Sequence, residues 1–142
     1  MLLIGPGPVT ASAAPPAMSA AAGTRIVMRA TNRGKLLTTR GGLVLFVFSK
    51  DGRNLDRCAS VPSCASVWPI ISTDGTPTAG RGVKRSLLGT IQVAGKGTQV
   101  TYAGHPLYRY GPEPTPGATD YIGAGASGGT WRAIRASGAL VG

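Results

Sequence analysis

The chain has 142 residues, with 15 Lys and Arg against five Asp and Glu and a formal net charge of +10. This length accommodates one domain around one core and excludes a second catalytic domain. Because 22 glycines and 11 prolines interrupt helices but tolerate short strands, we predict a mainly β domain with long Gly/Pro loops. A small antiparallel sheet, a barrel-like fold or a sandwich would each satisfy this composition.

Residues 1–24, "MLLIGPGPVTASAAPPAMSAAAGT", carry no charge and consist mainly of Ala, Pro, Gly, Ser and Thr. Met1 to Ile4, followed by Ala11, Ser12 and Ala13, resemble the end of a signal peptide and its small-residue cleavage site. The basic start and most of the apolar region of such a signal are missing, so a start further upstream and a disordered leader both remain open. We expect an exported protein whose residues 25–142 form a single β-rich domain.

Two strands are predicted in the first half of that domain. Residues 24–32, "TRIVMRATN", alternate in polarity and end at a turn signal, Asn-Arg-Gly. Residues 43–48, "LVLFVF", are a continuous apolar run of β-branched and aromatic types, which is too short for a buried helix and favours a buried strand. An Asp-Gly turn follows at Asp51.

Cys58 and Cys64 are the only cysteines. Their C-x5-C spacing lacks the pattern of a thioredoxin motif or a zinc site, and His105, the single histidine, does not complete four ligands. In an exported chain we therefore predict a disulfide, which stabilises the fold by about 2–2.5 kcal/mol on the loop-entropy estimate. One helical turn is expected over residues 63–67, just before Trp68.

In the second half, "LLGTIQV" and "TQVTYAG" flank Gly95, Lys96 and Gly97, a pattern that predicts a β-hairpin. The chain is expected to continue into a further strand in "YAGHPLYRY" and to end with a strand in "TWRAIRA", which contains Trp131. The segments "TDGTPTAGRGVKRS", "GPEPTPGATD" and "GAGASGG" are predicted to be loops.

Gly42 to Asp51, "GLVLFVFSKD", aligns without gaps with Gly104 to Glu113, "GHPLYRYGPE", and this predicts two tandem repeats at about residues 36–72 and 97–135. Positions two apart in a strand share a face. The pairs Phe46/Phe48 and Tyr108/Tyr110 are therefore predicted to face a core, with Asp51 and Glu113 capping turns. The alternative is an exposed stacking platform for a ring-shaped ligand.

The motif aromatic-x-aromatic-x-x-acid, present at residues 46–51 and 108–113, resembles a bacterial secreted repeat family described as predicted lipoproteins with a Yx(FWY)xxD motif. The segments around Trp68 ("CASVWP"), Tyr108 ("TYAGHPLYRY") and Trp131 ("PGATDY…GGTW") resemble further segments of that family. Phe46, Glu113 and Ala118 depart from the family's Tyr, Asp and Asp. The resemblance implies export and a repeated β-rich domain but no established activity, and without a lipobox cysteine it does not imply a lipid anchor.

No nucleophile elbow, metal-binding helix or phosphate loop is present in the sequence. We therefore expect a non-enzymatic envelope or extracellular protein without a cofactor, which binds anionic envelope polymers or lipid head groups through its positive charge. The alternative is a small-ligand or redox-cofactor module that uses the paired aromatics and His105. Nucleic acid is the less favoured partner of an exported chain.

Overall fold

A computed structural model describes residues 23–112 and 115–142. Nearly all of the predicted leader and Glu113 lie outside these residues. Gly23 and Thr24, the last two residues assigned to the leader, already bond to the loop at residues 72–76. The elements of the described chain are β1 (Arg25–Thr31), β2 (Gly34–Thr39), β3 (Phe46–Phe48), α1 (Pro62–Ala65), β4 (Thr78–Ala79), a 3₁₀ turn (Arg85–Leu87), β5 (Leu88–Val93), β6 (Gly97–Tyr102), β7 (His105–Pro106), β8 (Ala124–Ala126), β9 (Gly129–Ile134) and β10 (Leu140–Val141).

The strands form three small sheets, in the orders β2-β1-β4, β10-β9-β3 with β8 also on β9, and β5-β6-β7. Every strand pair is antiparallel except β1 with β4. The predicted mainly β class is confirmed. The barrel-like alternative is wrong, because the sheets end in edge strands such as β4 and β5 instead of pairing first strand with last. A sandwich-like arrangement of open sheets describes the domain.

The strand β3 separates two hydrophobic cores. Leu45 and Val47 pack on one side with Ile26, Val100 and other aliphatic residues. Phe46 and Phe48 point to the opposite side, into a second core that is rich in aromatic rings. A strand buried on both faces has no polar alternation, and this explains the continuous apolar run that predicted it.

The predicted loop "GAGASGG" is in fact the tight hairpin between β8 and β9, so that prediction is wrong. Ser127 and Gly128 both have positive φ, at 56° and 82°, as a two-residue type I′ turn requires. Three residues with almost no side chain can pair as β8 because β9 supplies the buried side chains of the hairpin. The short β4 likewise lies inside a predicted polar loop, where it pairs with β1.

Between β3 and β4 the chain makes a compact loop around α1. This four-residue helix begins one residue before the predicted helical turn and ends two residues before its predicted end. No helix in the described ranges is long and apolar enough to cross a membrane. Cys58 and Cys64 form the predicted disulfide, and both are buried in the aromatic core. The bond therefore ties the loop directly to the core that contains Trp68.

Replacing both cysteines, as Cys58→Ala with Cys64→Ala, is expected to lower the free energy of unfolding by about 2–2.5 kcal/mol, because the unfolded chain regains the entropy of a short loop. Urea denaturation of the two proteins measures the difference. Reduction of the native protein with a thiol should give a similar loss, and an unchanged transition midpoint in both cases would contradict the prediction.

Candidate functional site

Eight residues carry the family resemblance, and seven of them meet in the aromatic core or at its border, although they are spread over 86 positions of the chain. Phe46 and Phe48 come from β3, Trp131 comes from β9, and Trp68 follows α1. The seven are Phe46, Phe48, Asp51, Trp68, Tyr108, Tyr110 and Trp131; the eighth, Glu113, lies outside the described residues.

Two tryptophans stack face to face at the centre of this core. The ring centroids of Trp68 and Trp131 lie 4.0 Å apart with an angle of 6° between the planes. Phe48 stacks on Trp131 at 4.3 Å, on a sheet in which the two residues are cross-strand partners. All three rings are buried. The predicted core position of Phe46 and Phe48 is confirmed, and buried aromatic rings of this kind contribute strongly to stability.

Phe46 and Tyr108, the residues aligned in the two motif copies, are bonded to each other. Each donates its backbone N–H to the other's carbonyl oxygen, at N···O distances of 2.8 and 2.9 Å. The rings of Phe46 and Trp68 form a T-shaped pair, with centroids 5.1 Å apart and an interplanar angle of 70°. Tyr108 and Trp131 form a second T-shaped pair, at 5.1 Å and 89°. Each of the two rings therefore contacts the tryptophan of its own half of the chain.

The backbone hydrogen bonds of the two aromatic segments connect the two halves of the chain. Phe46–Phe48 pairs with β9, next to Trp131. On the other side, the amides of Arg109 and Gly111 donate to the carbonyls of Pro69 and Val67, on either side of Trp68. Each aromatic segment thus pairs with the tryptophan segment of the other half of the chain.

Asp51 joins the first motif to the second through its carboxylate. Oδ1 accepts a hydrogen bond from the backbone N–H of Arg57 at 2.7 Å, six residues further along the chain, so the carboxylate caps a backbone amide beyond the predicted Asp-Gly turn. Oδ2 accepts a second bond from the hydroxyl of Tyr108, also at 2.7 Å. Sequence reasoning missed this second contact. The signal for it was the hydroxyl that Tyr108 carries and its counterpart Phe46 lacks.

Burial raises the pKa of both the Asp51 carboxyl and the Tyr108 hydroxyl. Desolvation raises the pKa of Asp51 to about 6, against the opposing effect of the hydrogen bonds from Tyr108 and Arg57. The pKa of the Tyr108 hydroxyl is raised far above its usual range, first by burial and then by the adjacent Asp51. The hydroxyl of Tyr108 therefore keeps its proton and donates a hydrogen bond at neutral pH. The carboxyl of Asp51 is the group of the pair that titrates near neutral pH.

A second carboxylate, Asp56, organises the loop that carries the disulfide. Its Oδ1 accepts the backbone N–H groups of Cys58 and Ala59, both at 2.7 Å, which is the geometry of an Asx turn. Its Oδ2 is buried without a hydrogen-bond partner in the described chain. Among the described residues, no group of three His, Cys, Asp or Glu side chains could hold a metal ion. Asp51 and Asp56 accept hydrogen bonds from hydroxyl and amide donors.

The aromatic pairs present no open platform. Tyr110 packs on Trp68 at 5.2 Å, and its ring stacks on Tyr121 at 3.8 Å. The cavity beside Phe46, Tyr110 and Tyr121 has a volume of about 20 Å³. That is space for one water molecule and not for a ring-shaped ligand.

His105, the single histidine, begins β7. Its pKa is lowered, chiefly by partial burial and also by the neighbouring Arg53 guanidinium.

The larger openings of the surface lie outside the motif residues. One groove of about 380 Å³ is bordered by Thr73, Asp74, Thr90 and Thr98. Another depression, of about 450 Å³, lies between the β1–β2 hairpin and the turn at Arg81. Neither was indicated by the sequence, because each is assembled from strands and loops that are distant along the chain.

Comparison of the chain with protein-family profiles, with characterised proteins and with solved structures found no match.

The first prediction for this site concerns the pH dependence of Asp51. A carboxyl whose pKa is higher in the folded protein than its ordinary 3.8 binds its proton more tightly in the folded state. Its contribution to stability is therefore full below about pH 4 and is lost as the pH rises through about 6. The unfolding free energy of the native protein minus that of Asp51→Asn should fall over this interval and stay level above it.

Urea titrations between about pH 4 and pH 8 measure this difference, and His105 affects both proteins equally, so its titration cancels. A difference that grows with pH would show instead that the carboxylate form is favoured by folding.

The second prediction compares the two stacked tryptophans. The indole N–H of Trp131 donates to the carbonyl of Ala126 at 3.2 Å, whereas the indole N–H of Trp68 is buried without a partner in the described chain. Trp131→Phe should therefore lower stability by about 1–2 kcal/mol more than Trp68→Phe, because only the first change removes a hydrogen bond. Thermal or urea denaturation of both variants checks the order, and equal losses would contradict it.

Proposed function

We propose that this chain is an exported, non-enzymatic protein of the cell envelope or the extracellular space that binds anionic polymers or lipid head groups. The observation that carries the proposal is a positive surface charge that the domain does not neutralise. All 15 basic residues lie in the described ranges, and 12 of them are exposed. The exposed ones are Arg25, Arg29, Arg33, Lys35, Arg40, Lys50, Arg53, Arg57, Arg81, Lys84, Arg85 and Lys96.

The acidic residues do little to offset these charges. Within the described ranges, no Asp carboxylate forms an ion pair with a Lys or Arg side chain. Asp51 and Asp56 are half-buried and accept bonds from a hydroxyl and from backbone amides. Among the described residues, 12 exposed bases stand against two exposed acids, Asp74 and Asp120. This excess leaves a positive potential over the surface, which attracts polyanions from solution.

Four observations support export. The buried disulfide between Cys58 and Cys64 is compatible with an oxidising compartment. The leader has features of a signal-peptide end, and the motif residues resemble a secreted family. Phe46 and Tyr108, the aligned residues of the two predicted repeats, bond to each other through their backbones. This is the geometry expected if the two halves are the tandem repeats of that family.

The alternative, a ligand or redox-cofactor module built on the paired aromatics, finds less support. Phe48 and Trp68 both stack on Trp131, and all three side chains are at most 5% exposed. The cavities of about 20 Å³ beside Phe46 and about 130 Å³ beside Trp68 therefore reach little of the ring surfaces. A ligand would have to displace a ring from the core before it could stack. We therefore attribute binding to the overall positive potential of the surface and assign the aromatic cluster a structural role.

Binding to a polymer of phosphodiester-linked polyols, and to vesicles with and without anionic phospholipid, tests the proposal. We expect binding to the polymer and to the anionic vesicles, none to zwitterionic vesicles, and a loss of affinity of about tenfold or more between low and high salt, because screening weakens contacts between exposed charges. Binding that is independent of salt, or absent from every anionic probe, would overturn the proposal. A preference for single-stranded oligonucleotides of equal charge would favour nucleic acid as the partner.

A further inference from the structure

A depression beside the β1–β2 hairpin combines two cations with an apolar floor. Its lining residues are Met28 and Ala30 of β1, Lys35 of β2, and Arg81 and Gly82 of the following turn, and its volume is about 450 Å³. Ala30 pairs directly with Lys35 across the hairpin, and Met28 lies two residues earlier on the same face. Both cationic side chains are exposed, and the lining contains no acid.

The turn that brings Arg81 to the depression is fixed by backbone geometry. The N–H of Val83 donates to the carbonyl of Gly80 at 3.1 Å, so Arg81 and Gly82 are the two central residues of a β-turn. Gly82 has φ of 85°, the value that a type II turn requires at its second central position. A side chain there would also meet Met28, because an added Cβ would lie 3.4 Å from the methionine Cγ.

The donors around this depression are free to bind. Neither the Lys35 ammonium nor the Arg81 guanidinium has a hydrogen bond or ion pair within the described ranges, and the backbone N–H groups of Arg81 and Gly82 also lack partners there. Two cationic side chains that line one depression without an acid are suited to a tetrahedral oxyanion, and unpaired backbone N–H groups of the same turn add to its donors. The methionine floor beside them offers contact area to an apolar group.

We propose that this depression binds a phosphate ester, with the phosphate between Lys35 and Arg81 and the organic group of the ester on Met28 and Ala30. The inference deepens the proposed polyanion binding and rests on it. The ester can be the head-group region of a phospholipid or a free organic phosphate, since both present the same chemistry at this site.

Calorimetric titration with ethyl phosphate and hexyl phosphate, at low salt, tests the site. We expect hexyl phosphate to bind more tightly than ethyl phosphate, and the variant Lys35→Gln with Arg81→Gln to weaken its binding by about tenfold or more, because two charge-assisted contacts are lost. Uncharged hexanol should give no measurable heat. Vesicles that contain phosphatidic acid, compared with the soluble ester, distinguish a lipid from a free phosphate as the source.

A matched control removes the same two charge types elsewhere. Arg40 lies at the other end of β2, and Lys96 lies in the β5–β6 turn; both are exposed and neither lines the depression. Arg40→Gln with Lys96→Gln should leave the binding of hexyl phosphate within about twofold of the native value, since only the general potential changes. Thermal denaturation confirms that both double variants are folded, as expected for exposed side chains.

The apolar part of the proposal has its own variant. Met28→Ser should reduce the advantage of hexyl over ethyl phosphate while leaving the binding of ethyl phosphate unchanged. Equal losses in the two double variants would overturn the site and leave diffuse polyanion binding intact. Absence of binding to all anionic probes by the native protein would overturn the proposed function together with the site.

Discussion

Trp68 and Trp131 lie face to face in a core that neither half of the chain can enclose alone. The tryptophan segments are 63 positions apart, and each pairs through its backbone with the aromatic segment of the other half. The indoles can stack only when β3, β9 and the segment before β4 have all reached their places. Because a long loop must close before this contact forms, folding of the domain depends on long-range pairing more than on local propensity.

Two of the few acids help to hold these paired segments together. Asp51 follows the first aromatic segment and accepts the hydroxyl of Tyr108 in the second, and Asp56 holds the disulfide loop against Trp68. Carboxylates engaged in this way are partly removed from the surface. The basic side chains are long and flexible enough to remain in water, so the charge of +10 appears almost entirely on the outside.

Stability and the proposed binding therefore involve two different parts of the molecule. Aromatic rings that an open platform would have used for ligand binding instead hold three small open sheets together around β3. The sheet edges and turns are left to carry the exposed cations, and the type II turn at Gly82 sets one of them, Arg81, opposite Lys35. A phosphate ester would then meet preformed donors on a rigid hairpin, which limits the entropy lost on binding.

Local signals in the sequence determined the mainly β class, the β5–β6 hairpin, the helical turn, the disulfide and the core positions of Phe46 and Phe48, since polarity pattern and turn chemistry act over a few residues. They did not reveal β8, whose Ala and Gly residues pair only because β9 lies beside them. The open arrangement of the sheets, the contact of Asp51 with Tyr108 and the depression at Lys35 were decided by tertiary structure. Each joins residues distant along the chain, and proximity of that kind is set by packing and not by local propensity.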